Sequence, residues 1–248
     1  MDGTWFWIAA VAAAMLVGMG KGGLPVVGML GVPVLSLVIS PMTAAGLLLP
    51  VYIVSDAFGL YAYRAAFDRR VVAILAAGGT AGVGIGWATA SVVPEAVVTG
   101  LVGLIGLMFA LNLLIRRGVP VPKAAAVGPG LFWGTLTGFT SFVSHAGAPP
   151  YQVYVQPLGL TKAVFAGTTT VLFAYINAIK LVPYFALGQI NMGSLQVAAV
   201  LAVPAALAVF AGVRLVKVIP EALFFRLVTW ALLLISIKLI VDGVVGLM

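Results

Sequence analysis

Long apolar stretches recur along the chain, and short turns rich in glycine, proline or charged residues separate them. A helix that spans a membrane needs about 20 apolar residues, and several of the stretches approach that length. The pattern therefore predicts ten apolar helical segments: 4–19, 24–39, 43–63, 71–91, 95–115, 127–143, 148–160, 163–186, 194–213 and 221–246.

Segments 4–19, 24–39 and 148–160 are shorter than the others, and glycine or proline interrupts each pair of consecutive segments to which they belong. They either span obliquely or form broken, re-entrant hairpins. The fold class predicted is all-α: a polytopic transmembrane helical bundle with broken or re-entrant helices. Because the N-terminal stretch lacks the basic leader of a signal peptide, we expect it to be a retained first helix.

The two halves of the chain repeat one another. The stretch 93–97 (VPEAV) returns as 219–223 (IPEAL), and each opens the last long segment of its half. Proline and glutamate together are favourable at a helix start. Asp56 has Asn177 as its counterpart. The sequence predicts a first repeat at 1–117, a cytoplasmic linker at 118–126 and a second repeat at 127–248.

The distribution of basic residues predicts that the repeats are inverted. The loop 64–70 carries three arginines, whereas its counterpart 187–193 carries no charge. The turn before Glu95 has no cation, whereas the turn before Pro220 has two. Because Lys and Arg collect in cytoplasmic loops, equivalent loops fall on opposite faces, and both termini are predicted to be periplasmic. The linker region is cytoplasmic on the same ground, since it contains Arg116, Arg117 and Lys123.

Composition supports this class of protein. Hydrophobic residues make up 63% of the chain and charged residues 8%, with a mean hydropathy of +1.21, against about 25% charged residues in ordinary soluble domains. We attribute the net charge of +7 to topology rather than to nucleic-acid binding. With no cysteine, one histidine and six acidic residues, neither an enzyme nor a cofactor is expected.

The first candidate site is the glycine-rich break Gly18–Pro25 (GMGKGGLP). It lacks the Ser or Thr that follows lysine in a phosphate-binding loop of nucleotidases. What remains is a flexible break with one cation and with backbone N–H groups open to an anion. Lys21, Gly22 and Gly23 are therefore predicted to bind substrate. The alternative is that Lys21 is a cytoplasmic anchor.

The second candidate is the break at 141–150, which contains the only histidine of the chain. Ser144, His145 and backbone N–H groups beside Gly147 can donate hydrogen bonds to anionic oxygens. His145 is also a candidate carrier of a coupling proton, because imidazole titrates near neutrality. The alternative is a histidine in a surface loop. A lone histidine cannot form a zinc site here.

The third candidate set is Asp56, Asn177 and Lys180, which lie inside apolar segments. A charge at the centre of a bilayer costs about 2.5–3.5 kcal/mol on insertion scales, so such residues usually face a partner or a cavity. Asn177 and Lys180 are three residues apart and share a helix face, and both are predicted to bind substrate. Residues 168–170, all threonine, either line the same path or bond to their own backbone.

Two other patterns are interpreted as structural. Gly78, Gly82 and Gly86 form a small-residue stripe that is typical of helix packing. Lys238 and Asp242, four residues apart, resemble an interfacial ion pair.

The order of the motifs resembles the sulfite exporter TauE/SafE family. The residues that carry the resemblance are Gly20-Lys21-Gly22-Gly23, Pro33, Ala44-Ala45-Gly46, Tyr63-Arg64, Asp68, Gly138-Phe139, Gly147, Pro149, Thr169 and Asn177. The resemblance implies a permease of the bacterial inner membrane for small sulfur-containing anions such as sulfite or sulfoacetate. Lys21 and His145 depart from the commonest form of the two breaks, and both favour an anion.

The sequence thus predicts a secondary anion transporter that works by alternating access, with a site where the two breaks approach each other near the midplane. Lys21, His145 and Lys180 would supply positive potential, and the partners would be a small inorganic or organosulfur anion, the lipid bilayer and, through His145, a proton. A homo-oligomer is left open. The rival interpretations are a passive anion channel, a helper subunit and, less favoured, a membrane-embedded enzyme.

Overall fold

The computed structural model describes residues 3–115 and 122–247, in which the regular structure is helical. A 3₁₀ turn at Gln156–Leu158 follows the eighth helix. The helices of these residues are α1 Thr4–Lys21, α2 Pro25–Gly28, α3 Gly31–Leu35, α4 Pro41–Tyr63, α5 Arg69–Ala88, α6 Glu95–Ile115, α7 Val127–Ser144, α8 Ala148–Val155, α9 Lys162–Ala186, α10 Met192–Val218 and α11 Glu221–Val245.

Seven described helices are long and apolar enough to cross a membrane: α1, α4 from Thr43, α5, α6, α9, α10 and α11. The predicted all-α, multi-pass membrane class is therefore confirmed. The segments predicted at 24–39 and 148–160 form short pieces instead, namely α2 with α3 and α8 with the 3₁₀ turn. Each piece is too short to cross a bilayer as a straight helix, so the predicted breaks are confirmed.

Side chains at the helix starts explain where several helices begin. The Ser40 hydroxyl accepts a hydrogen bond from the Thr43 N–H, and the Asp68 carboxylate accepts one from the Val71 N–H. Both are N-caps, which satisfy backbone donors that have no intrahelical partner. Helices α6 and α11 begin at the two glutamates of the repeated Pro-Glu motif, as the sequence predicts.

The chain forms two compact units. The first unit consists of Met1–Phe67 and Ala166–Ile219, and the second consists of Asp68–Phe165 and Pro220–Met248. Each unit combines helices from both halves of the sequence. A compact unit need not coincide with a sequence repeat, so these units do not test the predicted duplication. The repeats at 1–117 and 127–248 stay a prediction. The linker predicted at 118–126 lies partly outside the described residues. Arg116 and Arg117 lie wholly outside them.

In the first unit, α1 packs along α10, and α4 contacts both helices. Glycine allows the backbones of α1 and α10 to touch: a Cβ at Gly22 would lie 2.7 Å from the Gly212 Cα, and one at Gly18 would collide with the Ala205 carbonyl oxygen. Small residues at helix interfaces permit this approach inside membranes. Buried apolar side chains of α1, α3, α4 and α10 form the core of the unit.

In the second unit, α5 packs along α7 and α6 packs along α11, while α8 contacts both α6 and α7. The glycine stripe of α5 lies against α7, as predicted. A Cβ at Gly82 would lie 2.7 Å from the Phe139 N, and one at Gly86 would lie 2.7 Å from the Phe142 ring. The stripe therefore serves packing rather than binding.

Replacing Gly82 by alanine is expected to lower the free energy of unfolding by about 1–3 kcal/mol, because the new methyl group overlaps the backbone of α7. Unfolding by SDS in mixed micelles measures the change. Gly84→Ala is the matched control on the same helix, since nothing lies within 4 Å of a Cβ there. It should leave stability equal or raise it by less than about 1 kcal/mol. Equal losses in both variants would contradict the packing role.

Candidate functional site

A buried charge cluster lies inside the first unit. The Lys21 Nζ is 2.7 Å from the Asp56 Oδ1, and the Asn177 Nδ2 donates a hydrogen bond of 2.9 Å to the Asp56 Oδ2. Both carboxylate oxygens are therefore engaged, and the cluster joins α1, α4 and α9. The Lys21 residue is only 6% exposed, so it is not a lysine exposed in a loop.

Lys180 belongs to the same cluster. It lies three residues beyond Asn177 on α9 and is 0% exposed. It interacts electrostatically with Lys21 and with Asp56, and its Nζ lies 5.4 Å from the centroid of the Tyr184 ring. Sequence reasoning selected Asn177 and Lys180 for substrate binding and singled out Asp56 beside them. The structure brings all three together with Lys21.

Two aromatic rings lie beside the Lys21 ammonium group. Its Nζ lies 5.2 Å from the Tyr52 ring centroid and 5.9 Å from that of Phe173. A cation near an aromatic face is stabilised by about 0.5–2 kcal/mol, with the larger values at desolvated sites. The rings also exclude water, which strengthens every charge interaction in the cluster.

The first break fixes the position of Lys21. The Tyr63 hydroxyl donates to the Gly22 carbonyl at 2.7 Å, and the Thr170 hydroxyl donates to the Lys21 carbonyl at 3.1 Å. Gly23 has φ +107°, and a Cβ there would lie 2.5 Å from the Tyr63 Oη. Only glycine fits such a conformation and such an approach. The end of α1 is thus held by α4 and α9.

The amides of this break are already bonded. The Gly22 N–H donates to the Gly18 carbonyl and the Gly23 N–H to the Gly20 carbonyl, at 2.8 and 3.1 Å. We expected these N–H groups to be open to an anion, and the structure instead uses them to close the end of α1. Substrate binding by Gly22 and Gly23 stays a prediction, but their structural role is clear: they allow the close packing around Lys21.

The cluster contains two basic side chains and one acidic side chain. Asp56 is the only acidic residue in the described part of the first unit, and two lysines are buried around it. An uncompensated charge in apolar surroundings is costly. The arrangement therefore favours the entry of an anion and disfavours that of a cation.

The second break lies in the second unit, where α7 ends at Ser144. His145 adopts a left-handed conformation with φ 52°, and the Ala146 N–H donates to the Thr140 carbonyl at 3.2 Å. This geometry is the usual glycine-type helix ending, and a residue with a Cβ there costs about 1–2 kcal/mol. His145 is 9% exposed, so it is not a histidine in a surface loop. A non-glycine residue held in this strained conformation is a candidate for function.

The other predicted residues of this break have local roles. The Ser144 hydroxyl donates back to the Thr140 carbonyl at 3.3 Å. Gly147 precedes α8, and its carbonyl accepts from the Tyr151 N–H. Ser144, His145 and Gly147 belong to the second unit, whereas Lys21, Asn177 and Lys180 belong to the first. Their participation in one common site stays a prediction.

Sequence reasoning missed Gln152 on α8. Gln152 is fully buried, and neither its Nε2 nor its Oε1 has a hydrogen-bond partner among the described residues. Leaving such a group unsatisfied costs about 1–3 kcal/mol. A glutamine inside the apolar segment 148–160 was the available signal. Its amide is a candidate donor and acceptor for a polar guest of the second unit.

Comparison with known proteins yields a match to a family model. A family model described as sulfite exporter TauE/SafE matches residues 6–239, which is nearly the whole chain. Searches of curated proteins and of solved structures find no match.

Asp56→Asn is expected to lower the free energy of unfolding by about 3–5 kcal/mol, because it leaves two buried ammonium groups without a carboxylate. The control is Asp242→Asn, which breaks the ion pair between Lys238 and Asp242, whose side chains are each 42% exposed. The control should change stability by about 1 kcal/mol or less. SDS titration in mixed micelles compares the two variants, and similar losses in both would contradict a buried, structurally coupled Asp56.

His145→Gly and His145→Ala both remove the imidazole, but only the glycine variant relieves the left-handed backbone. The glycine variant is therefore expected to be more stable than the alanine variant by about 1–2 kcal/mol. Thermal unfolding in detergent measures the difference. If histidine is retained for transport, both variants also lose flux to the same extent. Equal stability of the two variants would argue against strain at this position.

Proposed function

The chain belongs to the sulfite exporter TauE/SafE family, and from this premise we propose that it is a secondary transporter that carries small sulfur-containing anions across the bacterial inner membrane. Sulfite and organosulfonates such as sulfoacetate are the proposed substrates. The observation that carries the proposal is the buried, cation-rich cluster of Lys21, Asp56, Asn177 and Lys180. Three helices that are long and apolar enough to span a membrane supply these residues.

The chemistry of the cluster fits such anions. Sulfite and sulfonates present several oxygen acceptors, which ammonium and amide groups bind through charge-assisted hydrogen bonds. In our proposal Lys21 and Lys180 supply positive charge, and Asn177 supplies a directional donor. Ser144, His145 and Gly147 are proposed to contribute donors from the second break. The anion would be admitted by charge and oriented by hydrogen bonds.

Alternating access is the proposed mode of transport. Broken helices and duplicated halves are typical of secondary transporters. Packing within the units supports the duplication, because α1 packs on α10 in the first unit and α7 packs on α5 in the second. In the proposed repeat, α1 corresponds to α7 and α10 corresponds to α5. Each pair thus joins one helix of the first repeat to one of the second.

Flux of radiolabelled sulfite in proteoliposomes tests the proposal. Lys21→Met and Lys180→Met are each expected to lower the rate by roughly tenfold or more, because each removes a charge-assisted interaction. Lys217→Met is the control, since it removes a lysine from the exposed end of α10 in the same unit. Unchanged flux in both cluster variants would remove the cluster from the transport path.

Counterflow separates a carrier from a passive channel. A carrier that alternates its access should show saturable sulfite uptake that is stimulated by unlabelled sulfite inside the vesicle. A channel would show neither property. Stability of every variant is measured beside its flux, so that loss of folding is distinguished from loss of transport.

A further inference from the structure

We propose that Asp56 is a built-in counter-ion that sets the charge of the transported anion, so that the site accepts monoanions in preference to dianions. This inference rests on the proposed function and deepens it. It assigns Asp56 a role in substrate specificity. From the sequence, Asp56 stands out as a charge inside an apolar segment but is not predicted to bind substrate.

The position of Asp56 makes it a permanent part of the site. Its Oδ1 is 2.7 Å from the Lys21 Nζ, and its Oδ2 accepts from the Asn177 Nδ2 at 2.9 Å. Asp56 is 3% exposed. Both oxygens are held by side chains of neighbouring helices, so the carboxylate belongs to the site and not to the substrate. When it is ionised, the protein contributes one negative charge.

The lysines contribute two positive charges to the same cluster. Lys180 is fully buried and interacts electrostatically with both Lys21 and Asp56. The aromatic groups beside the lysines, which are Tyr52, Phe173 and Tyr184, add no charge. With both lysines protonated, the cluster has a net charge of +1.

An empty site can relieve this excess either by releasing a proton from Lys180 or by admitting an anion. The occupied site is the same whichever way the empty site is relieved. When both of its lysines are protonated, a guest with one negative charge makes it neutral. A dianion would leave one uncompensated negative charge in apolar surroundings, and such a charge is costly. Among the substrates proposed above, hydrogensulfite and sulfonates with a single charge fit this requirement, whereas sulfoacetate, whose sulfonate and carboxylate carry two negative charges, does not. Sulfate fails the requirement for the same reason.

Methanesulfonate and sulfate provide a matched pair of probes, because both are tetrahedral oxyanions of similar size and they differ by one charge. Their dissociation constants for the purified full-length protein are measured by calorimetry at constant ionic strength, which keeps screening equal. The wild-type protein is expected to bind methanesulfonate on the order of tenfold to a hundredfold more tightly than sulfate. Equal affinities, or a preference for sulfate, would overturn the inference.

Charge variants then test whether Asp56 sets the preference. Asp56→Asn raises the cluster to +2 and should shift the affinity ratio toward sulfate by roughly tenfold or more. Lys180→Met lowers it to zero and should weaken the binding of both anions. The double variant Asp56→Asn with Lys180→Met returns the cluster to +1 and should restore the preference for methanesulfonate. A ratio that stays at the wild-type value in Asp56→Asn would overturn the role of Asp56.

Asp242→Asn is the control for a general effect of charge, because it removes an acidic residue that is paired with Lys238 outside the cluster. Its affinity ratio should equal that of the wild type, and a shift as large as that of Asp56→Asn would overturn the inference. If wild-type protein binds neither methanesulfonate nor sulfite, the proposed function fails, and the inference fails with it. Binding of both methanesulfonate and sulfate without discrimination overturns the inference alone.

Discussion

Neutralisation of Lys21 by Asp56 is the interaction on which the centre of the first unit depends. A lysine at the end of an apolar helix has no water to solvate its ammonium group once it is buried, so a carboxylate must approach it. The pair at 2.7 Å satisfies that requirement and fixes α1 against α4. Asn177 occupies the remaining carboxylate oxygen and thereby brings α9 to the same point. The single carboxylate of Asp56 therefore joins three apolar helices at one point.

Glycine provides the complementary constraint, because helices that bury charge must also approach closely enough to exclude water. In the first unit, Gly18 and Gly22 let α1 touch the backbone of α10. In the second unit, Gly82 does the same between α5 and α7. Apolar side chains gain little from meeting one another in lipid, so close backbone packing and polar contacts have to supply the specificity. Close backbone packing at glycine and buried polar contacts thus both determine which helices pack together.

Much of this architecture could be predicted from the sequence, because hydrophobic length is a strong signal in membranes. The apolar segments, the broken stretches 24–39 and 148–160, the glutamate helix starts and the glycine stripe of α5 all agree with the structure. The polar residues Asp56, Asn177 and Lys180 stood out because charge and amide groups are rare in apolar segments. Their assembly around Lys21 needed the fold, since Asp56 and Asn177 are separated by 121 positions.

Other features had no local signal. The N–H groups of Gly22 and Gly23 looked open in the sequence, but the end of α1 uses them. The left-handed conformation of His145 is a property of the helix ending and not of the residue type. The two compact units combine distant parts of the chain, which periodicity along a single helix cannot reveal.

The interleaving of the units also constrains how the protein is made. Lys21 leaves the ribosome well before Asp56, so a nascent α1 carries an unpaired charge until α4 arrives. Asn177 and the helix α10 follow only after α5 to α8 have been synthesised. The first unit therefore cannot be completed cotranslationally as an independent N-terminal block, which is the usual course for consecutive domains. Its early helices must wait in the membrane for partners from the other end of the polypeptide.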